Sequence, residues 1–201
     1  MKSALIVDDH PSVRMALKFI LERLNFITID ECDNGVSAIQ LIKNNHYHIV
    51  ILDIGIPGMD GMTVISSVRK AENNTRILVF TSQTQDLYAS RCMAAGASGF
   101  VSKNDDMENV ASAVKAIESG YSFFPHIYAS TDNNKSLVNR LTNRELDVLR
   151  KLARGMTNNE IAADMCLSNK TISTYKTRIM EKLGINTLVE LINIAKQEDL
   201  A

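Results

Sequence analysis

Three aspartates stand directly after short apolar runs: Asp8 and Asp9 after Ala4–Val7, and Asp53 after Ile49–Leu52. Two further runs end near groups that bind anions, Thr81 with Ser82 after Ile77–Phe80, and Lys103 just past Gly99–Val101. Brought together, these carboxylates, hydroxyl and ammonium suit phosphoryl transfer to a carboxylate. Asp53 would be the nucleophile, forming an acyl phosphate. Acidic oxygens suit magnesium, a hard cation. The ion would neutralise charge on the incoming group while Lys103 and the Thr81 hydroxyl bind its oxygens. A single aspartate at a strand end is more often a helix cap or a solvated loop residue. Five compatible residues at the ends of four strands outweigh that reading.

These residues meet only if their strands lie side by side. The apolar runs, with Ile27–Asp30 as a fifth, read as strands. Helix-like segments fall between and after them, at about 12–21, 36–45, 62–70, 86–95 and 106–119. Ala38, Ile39, Leu41 and Ile42 share one helical face. Five strands alternating with five helices predict an α/β unit with a parallel, doubly wound sheet covered on both sides. Strands this apolar suit burial on both faces. Reactive groups in such sheets gather beyond the carboxyl ends of the strands, with strands one and three as neighbours.

The polar, aperiodic stretch 123–139 predicts a linker between a domain at 1–122 and a second at 140–201. Two domains of about 120 and about 65 residues suit the length of 201. Ordinary apolar and charged fractions make this a globular chain. No apolar run approaches the roughly 20 residues needed to cross a bilayer. The acids at 8 and 9 interrupt what a secretory signal would keep apolar, so the expectation is a cytoplasmic protein with no membrane partner. The three cysteines, Cys32, Cys92 and Cys166, are too scattered for a disulfide framework or a zinc site. Residues 1–125 carry 11 Lys/Arg against 14 Asp/Glu, and residues 136–201 carry 10 against 8. That asymmetry is too small to imply nucleic acid by itself.

The second half has no strand-like alternation and predicts a small all-α unit. Thr142 with Glu145 forms a capping-box signature for a helix through about Ala153, which Gly155 ends. A short helix near Asn158–Met165, a turn at Cys166–Leu167 and a helix over Asn169–Leu183 have helix-turn-helix spacing. A last helix spans Leu188–Gln197. Ile172, Ile179 and Leu183 recur as a buried stripe. Other faces carry Lys170, Thr171, Ser173, Thr174, Lys176, Thr177 and Arg178. From Ser168 to Leu183 the local net charge is +3. Such a helix can enter a major groove, its charges on phosphates and its short hydroxyl side chains on base edges. On charge alone it could equally be a solubilised surface helix.

Residues 1–120 resemble the receiver domain of bacterial two-component response regulators. The resemblance rests on Val-Asp-Asp-His at 7–10 and Leu-Asp-Ile-Gly-Ile-Pro-Gly-Met-Asp-Gly at 52–61. It also rests on Phe-Thr-Ser at 80–82 and Ala-Gly-Ala-Ser-Gly-Phe-Val-Ser-Lys at 95–103. It implies a flavodoxin-like fold with Asp53 as phosphoacceptor. Asp8, Asp9 and the Gly55 carbonyl join Asp53 as the Mg2+ site, with Asp9 ahead of Asp8 as direct ligand. Thr81 matches the switch hydroxyl, Lys103 the phosphate-binding lysine and Phe100 the aromatic switch residue. Two departures stand out: Asn104 where many receivers have proline, and Phe100 without a tyrosine hydroxyl.

The segments Leu141–Leu149, Gly155–Ala162 and Ser168–Leu183 resemble the LuxR-type helix-turn-helix. With the receiver in front, the chain resembles the NarL/FixJ family, closest in wording to its BvgA/EvgA-like branch. That resemblance makes Ser173, Thr174 and Thr177 base contacts and Lys170, Lys176, Arg178 and Lys182 phosphate contacts. Thr171 lies in the same DNA-facing segment, and Tyr175 either packs or meets a phosphate. Leu188–Ala195 matches the dimerisation helix, so a homodimer on two half-sites of double-stranded DNA is expected. The implied partner is a sensor histidine kinase or its phosphotransfer domain, and the implied role is transcriptional regulation rather than enzymatic turnover. Two alternatives have discriminating features. An aspartate-nucleophile phosphatase would carry Asp-x-Asp where this chain has Asp8-Asp9-His10. A phosphorylation-independent DNA-binding protein would not need the complete acidic cluster with Thr81 and Lys103.

Overall fold

A computed structural model of the chain describes residues 1–57, 59–125, 137–198 and 200. Residues 126–136, most of the expected linker, and Gly58 of the 52–61 motif lie outside the described residues. The chain divides into two compact units, Met1–Ile127 and Tyr128–Ala201.

Five strands alternate with five helices in the first unit. They are β1 (Lys2–Val7), α1 (Pro11–Arg23), β2 (Phe26–Cys32), α2 (Gly35–Asn44), β3 (Ile49–Leu52), α3 (Gly61–Lys70), β4 (Arg76–Thr81), α4 (Gln85–Ala94), β5 (Gly99–Ser102) and α5 (Met107–Glu118). All strand pairs are parallel, in the order β2-β1-β3-β4-β5. On one face Leu17 and Leu21 of α1 and Val110, Val114 and Ile117 of α5 form a core with Ala4, Ile6, Ile49, Ile51, Leu78 and Phe80. The alternate residues Leu5, Val7, Val50, Leu52 and Val79 are equally buried, so β1, β3 and β4 are apolar on both sides. Each such side chain stabilises the fold by about 1.5–3 kcal/mol relative to exposure.

The expectation of two buried faces fails for β2. Ile27 is 69% exposed there, and Asp30 and Glu31 interrupt the apolar run. The reason is position: β2 is an edge strand with one neighbour, and charged residues on an edge discourage further pairing.

Strand register carries the candidate chemistry to one place. Val7 is level with Leu52, and Leu52 with Val79. Asp8 and Asp53 therefore follow directly where adjacent strands end. The Asp53 N–H donates to the Val7 carbonyl at 2.9 Å, and the Lys103 N–H to the Thr81 carbonyl at 2.8 Å. Asp60 caps α3 by accepting from the Thr63 N–H. Gly61 beside it has no room for a side chain, because a Cβ would lie 2.7 Å from the Asp53 carbonyl oxygen. That close approach clamps the loop holding Asp53.

Phe123, where the expected linker begins, is hydrogen-bonded to the sheet. Its carbonyl accepts from the Phe100 N–H at 2.7 Å, and its N–H donates to the Ser98 carbonyl at 3.0 Å. Its side chain packs on the core of the first unit. Residue 123 thus continues the edge of the sheet beside β5.

The second unit comprises a 3-10 turn (Leu137–Arg140), α6 (Asn143–Ala153), α7 (Asn158–Asp164), α8 (Asn169–Leu183) and α9 (Leu188–Gln197). Thr142 and Glu145 form the expected capping box, and Thr157–Glu160 and Thr187–Glu190 repeat it on α7 and α9. Leu146, Leu149, Ile161, Ile172, Ile179, Leu191 and Ala195 are fully buried. α6 packs on α8 and α9, and α7 packs on α8. Cys166 turns the chain between α7 and α8 at a φ of +52°. No described helix is long and apolar enough to cross a membrane.

Candidate functional site

At the carboxyl ends of the strands, Asp8 and Asp53 are 1% and 4% exposed. Lys103 lies between them. Its Nζ is 2.6 Å from Asp8 Oδ2 and 2.5 Å from Asp53 Oδ2. Burial alone would lower the Lys103 pKa, but the Asp53 and Asp8 carboxylates outweigh it and hold the ammonium above its ordinary range. The Gly55 N–H donates to Asp53 Oδ1 at 2.8 Å. The His10 N–H donates to Asp8 Oδ1 at 2.9 Å, and His10 Nδ1 lies 2.8 Å from Asp9 Oδ1.

Asp8 and Asp53 are buried and share one ammonium, which leaves negative charge in excess where unbalanced charge is expensive, and the partly exposed Asp9 beside Asp8 adds a third carboxylate. A divalent cation matches that excess. Asp8, Asp9 and His10 also offer ligand atoms that lie within 4.8 Å of one another. The donor set is oxygen-rich, as a hard cation requires. Asp9 is the more open of the two acids, its side chain 35% exposed, whereas the Asp8 carboxylate is engaged by Lys103 and the His10 N–H.

Thr81 and Phe100 are both buried, at 0% and 1%. The Thr81 hydroxyl oxygen accepts from the Gln83 N–H at 3.3 Å. After Lys103 the chain turns without a cis peptide: the Asn104 N–H donates to Ser102 Oγ at 3.2 Å, and the Ser102 N–H to Asp105 Oδ2 at 3.3 Å. Ser102 and Asp105 hold the turn that proline stiffens elsewhere. Gln83 also lines the pocket. Its Nε2 lies 3.3 Å from where a Cβ on Gly55 would stand, a point itself 3.4 Å from Asp53 Oδ1. Only its place two residues beyond Thr81 could have signalled this.

In the second unit, α8 buries Ile172, Ile179 and Leu183 as the stripe required. Lys170, Ser173, Thr174, Thr177 and Arg178 are exposed, and Thr171, Tyr175 and Lys176 are half-buried. Lys170 and Arg178 flank a shallow cleft that Ser168, Thr171, Thr174 and Tyr175 complete. Lys182, expected as a phosphate contact, has a partner within the unit. Its Nζ lies 2.6 Å from Oε2 of the buried Glu145 on α6, an ion pair within the unit. Burial would raise the Glu145 pKa, but bonds from Lys182 and Thr142 hold it below its ordinary 4.5. Nothing in the sequence signals that Asn158 Nδ2 donates to Ser173 Oγ, or that Asn169 pairs with Asn159, tying α8 to α7.

Residues 4–115 match the response regulator receiver domain, and residues 139–195 match the bacterial regulatory proteins of the luxR family. The chain is 45% identical over 204 residues to a Bordetella pertussis protein described as "virulence factors putative positive transcription regulator BvgA", covering 98% of each. Solved structures of the RcsB response regulator are similar over both units. One, of two RcsB dimers bound to two parallel DNAs, is 28% identical with a TM-score of 0.60, covering 97% of this chain and 98% of the other. Another, RcsB from Salmonella enterica serovar Typhimurium bound to promoter DNA with the phosphomimetic BeF3−, is 28% identical with a TM-score of 0.59, covering 96% and 97%.

Proposed function

We propose, from the premise that this chain belongs to the NarL/FixJ family of two-component response regulators, that Asp53 phosphorylation controls DNA binding by α8. A receiver joined to a LuxR-type DNA-binding domain makes the chain a transcriptional regulator rather than an enzyme. The domains are assigned to residues 1–123 and 140–201, and the protein is taken to act in the cytoplasm. The observation that carries the reading is Lys103 held between the buried Asp8 and Asp53.

An Asp53 carboxylate oxygen attacks the phosphorus of a phosphohistidine on a sensor kinase or its phosphotransfer domain. The P–O bond forms as the P–N bond breaks, and the imidazole nitrogen keeps the electron pair. Asp8, Asp9, Asp53 and the Gly55 carbonyl would hold Mg2+, which when bound neutralises phosphoryl charge. The Lys103 ammonium moves from the Asp53 oxygen to a phosphoryl oxygen. The buried Thr81 hydroxyl turns to donate to another, and the buried Phe100 ring repacks in response. Phosphorylation then favours a homodimer whose two copies of α8 meet two half-sites. The RcsB dimers on DNA support that last step.

Acetyl phosphate with Mg2+ tests the assignment on the full chain. Wild type should take up one acid-stable, base-labile phosphoryl group, and Asp53→Asn none. Uptake by the variant at the wild-type rate refutes it.

A further inference from the structure

The outermost line of α8 runs through Lys170, Thr174, Thr177 and Glu181, opposite the buried Ile172, Ile179 and Leu183. All four are exposed. Thr174 and Thr177 therefore occupy the middle of the face that would enter a groove, with the cations Lys170 and Arg178 beside them. Their hydroxyl protons are already committed. Thr174 Oγ1 donates to the Lys170 carbonyl at 3.0 Å, and Thr177 Oγ1 to the Ser173 carbonyl at 3.1 Å. A hydroxyl has one proton to give. The back-bond also sets χ1, and so fixes the Cγ2 methyl. Each threonine thus offers DNA a methyl and an acceptor, with no donor.

Base edges in the major groove answer such groups unequally. Guanine presents only acceptors, N7 and O6, which a committed hydroxyl cannot satisfy. Thymine presents a C5 methyl and its partner adenine an N6 donor. Cytosine has a donor without a methyl. We propose that Thr174 and Thr177 read thymine through their Cγ2 methyls, placing A·T pairs at the centre of each half-site. The two residues lie about 4.5 Å apart along the helix axis, close to one base-pair step of about 3.4 Å. Ser173 has no methyl, and its hydroxyl is engaged by Asn158, so it stands outside this readout. The proposal rests on the reading of α8 as the groove-binding helix.

The test uses the full chain with beryllium fluoride as acyl-phosphate mimic, and duplexes selected from a library randomised across the half-sites. The expected result is an A·T preference at two neighbouring positions. Replacing each of those thymines by deoxyuridine removes only the methyl, and should weaken wild-type binding roughly fourfold per site. Thr174→Val with Thr177→Val keeps the methyls and should retain the deoxyuridine penalty. Thr174→Ser with Thr177→Ser keeps the hydroxyls and should abolish it. The reverse pattern, or a wild type indifferent to deoxyuridine, overturns the proposal. Failure to select any duplex would instead overturn the DNA-binding assignment beneath it.

Discussion

The pocket around Asp53 and the outer face of α8 are opposite solutions to presenting polar groups. In the pocket, two buried carboxylates share one ammonium, and each position is fixed by strand register and backbone hydrogen bonds. On the outer face of α8 Thr174 and Thr177 are exposed, and their hydroxyl bonds run along the helix itself. The pocket is therefore sensitive to any change of charge, while the helix face can change residues at little cost to folding. Chemistry that must be the same for every phosphoryl group is placed where substitution is punished. Recognition that must suit one DNA sequence is placed where substitution is cheap.

Removing Lys103 should break this contrast most severely. Lys103→Met leaves two buried carboxylates without their shared cation, and truncating one partner of a buried pair costs about 3–5 kcal/mol. Denaturant unfolding of the first unit should show that loss, and phosphoryl uptake should fall with it. Added Mg2+ should stabilise the variant more than wild type, because it meets a more negative site. If stability is unchanged, the pocket is not the tightly balanced site its geometry describes.

An intermediate effect is expected at Glu145 and Lys182. Glu145 is buried, but Lys182 is about a third exposed, so solvent weakens the pair to about 1–2 kcal/mol. Lys182→Ala should destabilise the second unit by that amount and leave the salt dependence of DNA binding unchanged. A flatter salt slope would return Lys182 to the phosphate contacts. The pH dependence has a definite sign. The Glu145 pKa is lowered in the folded unit, so its contribution is complete above about 4.5 and is lost as pH falls through the lower folded value. Glu145→Gln should remove that part of the acid sensitivity.

Lys176 and Arg178 should behave oppositely. Alanine at either position should leave stability within about 0.5 kcal/mol, while lowering the salt slope of binding by about 0.9 for each phosphate no longer neutralised. Binding measured at several salt concentrations on related and unrelated duplexes checks both halves of this statement. A weakening confined to one DNA sequence would make the residue a reader of bases.

How far these features could be read from the sequence follows the same division. The apolar runs and the residues that end them place Asp8, Asp53 and Lys103 at strand ends, because residue type and alternation are local signals. The capping box at Thr142 is legible for the same reason. The exposure of β2 is not, since Ile27 looks like any strand residue until the strand order makes β2 an edge. Lys182 looks like a surface lysine until α6 packs on α8 and brings Glu145 to it. Phe123 reads as the start of a polar linker until its backbone is paired with β5. The commitment of the Thr174 and Thr177 hydroxyls lies in side-chain torsions, which composition does not encode.

The smallest expected effect concerns Gly55 and Gln83. A Cβ at Gly55 would stand 3.3 Å from Gln83 Nε2 and 3.4 Å from Asp53 Oδ1, tight by a few tenths of an ångström. The amide is the end of a flexible side chain and can retreat. Gly55 does not have a positive φ, so alanine there introduces no backbone strain and should raise stability by about 0.4–1 kcal/mol through the unfolded chain. Gly55→Ala should therefore unfold no earlier than wild type, yet accept phosphate from acetyl phosphate a few-fold more slowly because the new methyl and the Gln83 amide compete for the space beside Asp53 Oδ1. Adding Gln83→Ala removes the crowding and should restore the rate. A double variant as slow as the single one would place the effect in the Asp53 loop itself, and would show that the pocket tolerates no added bulk even where its neighbour can move.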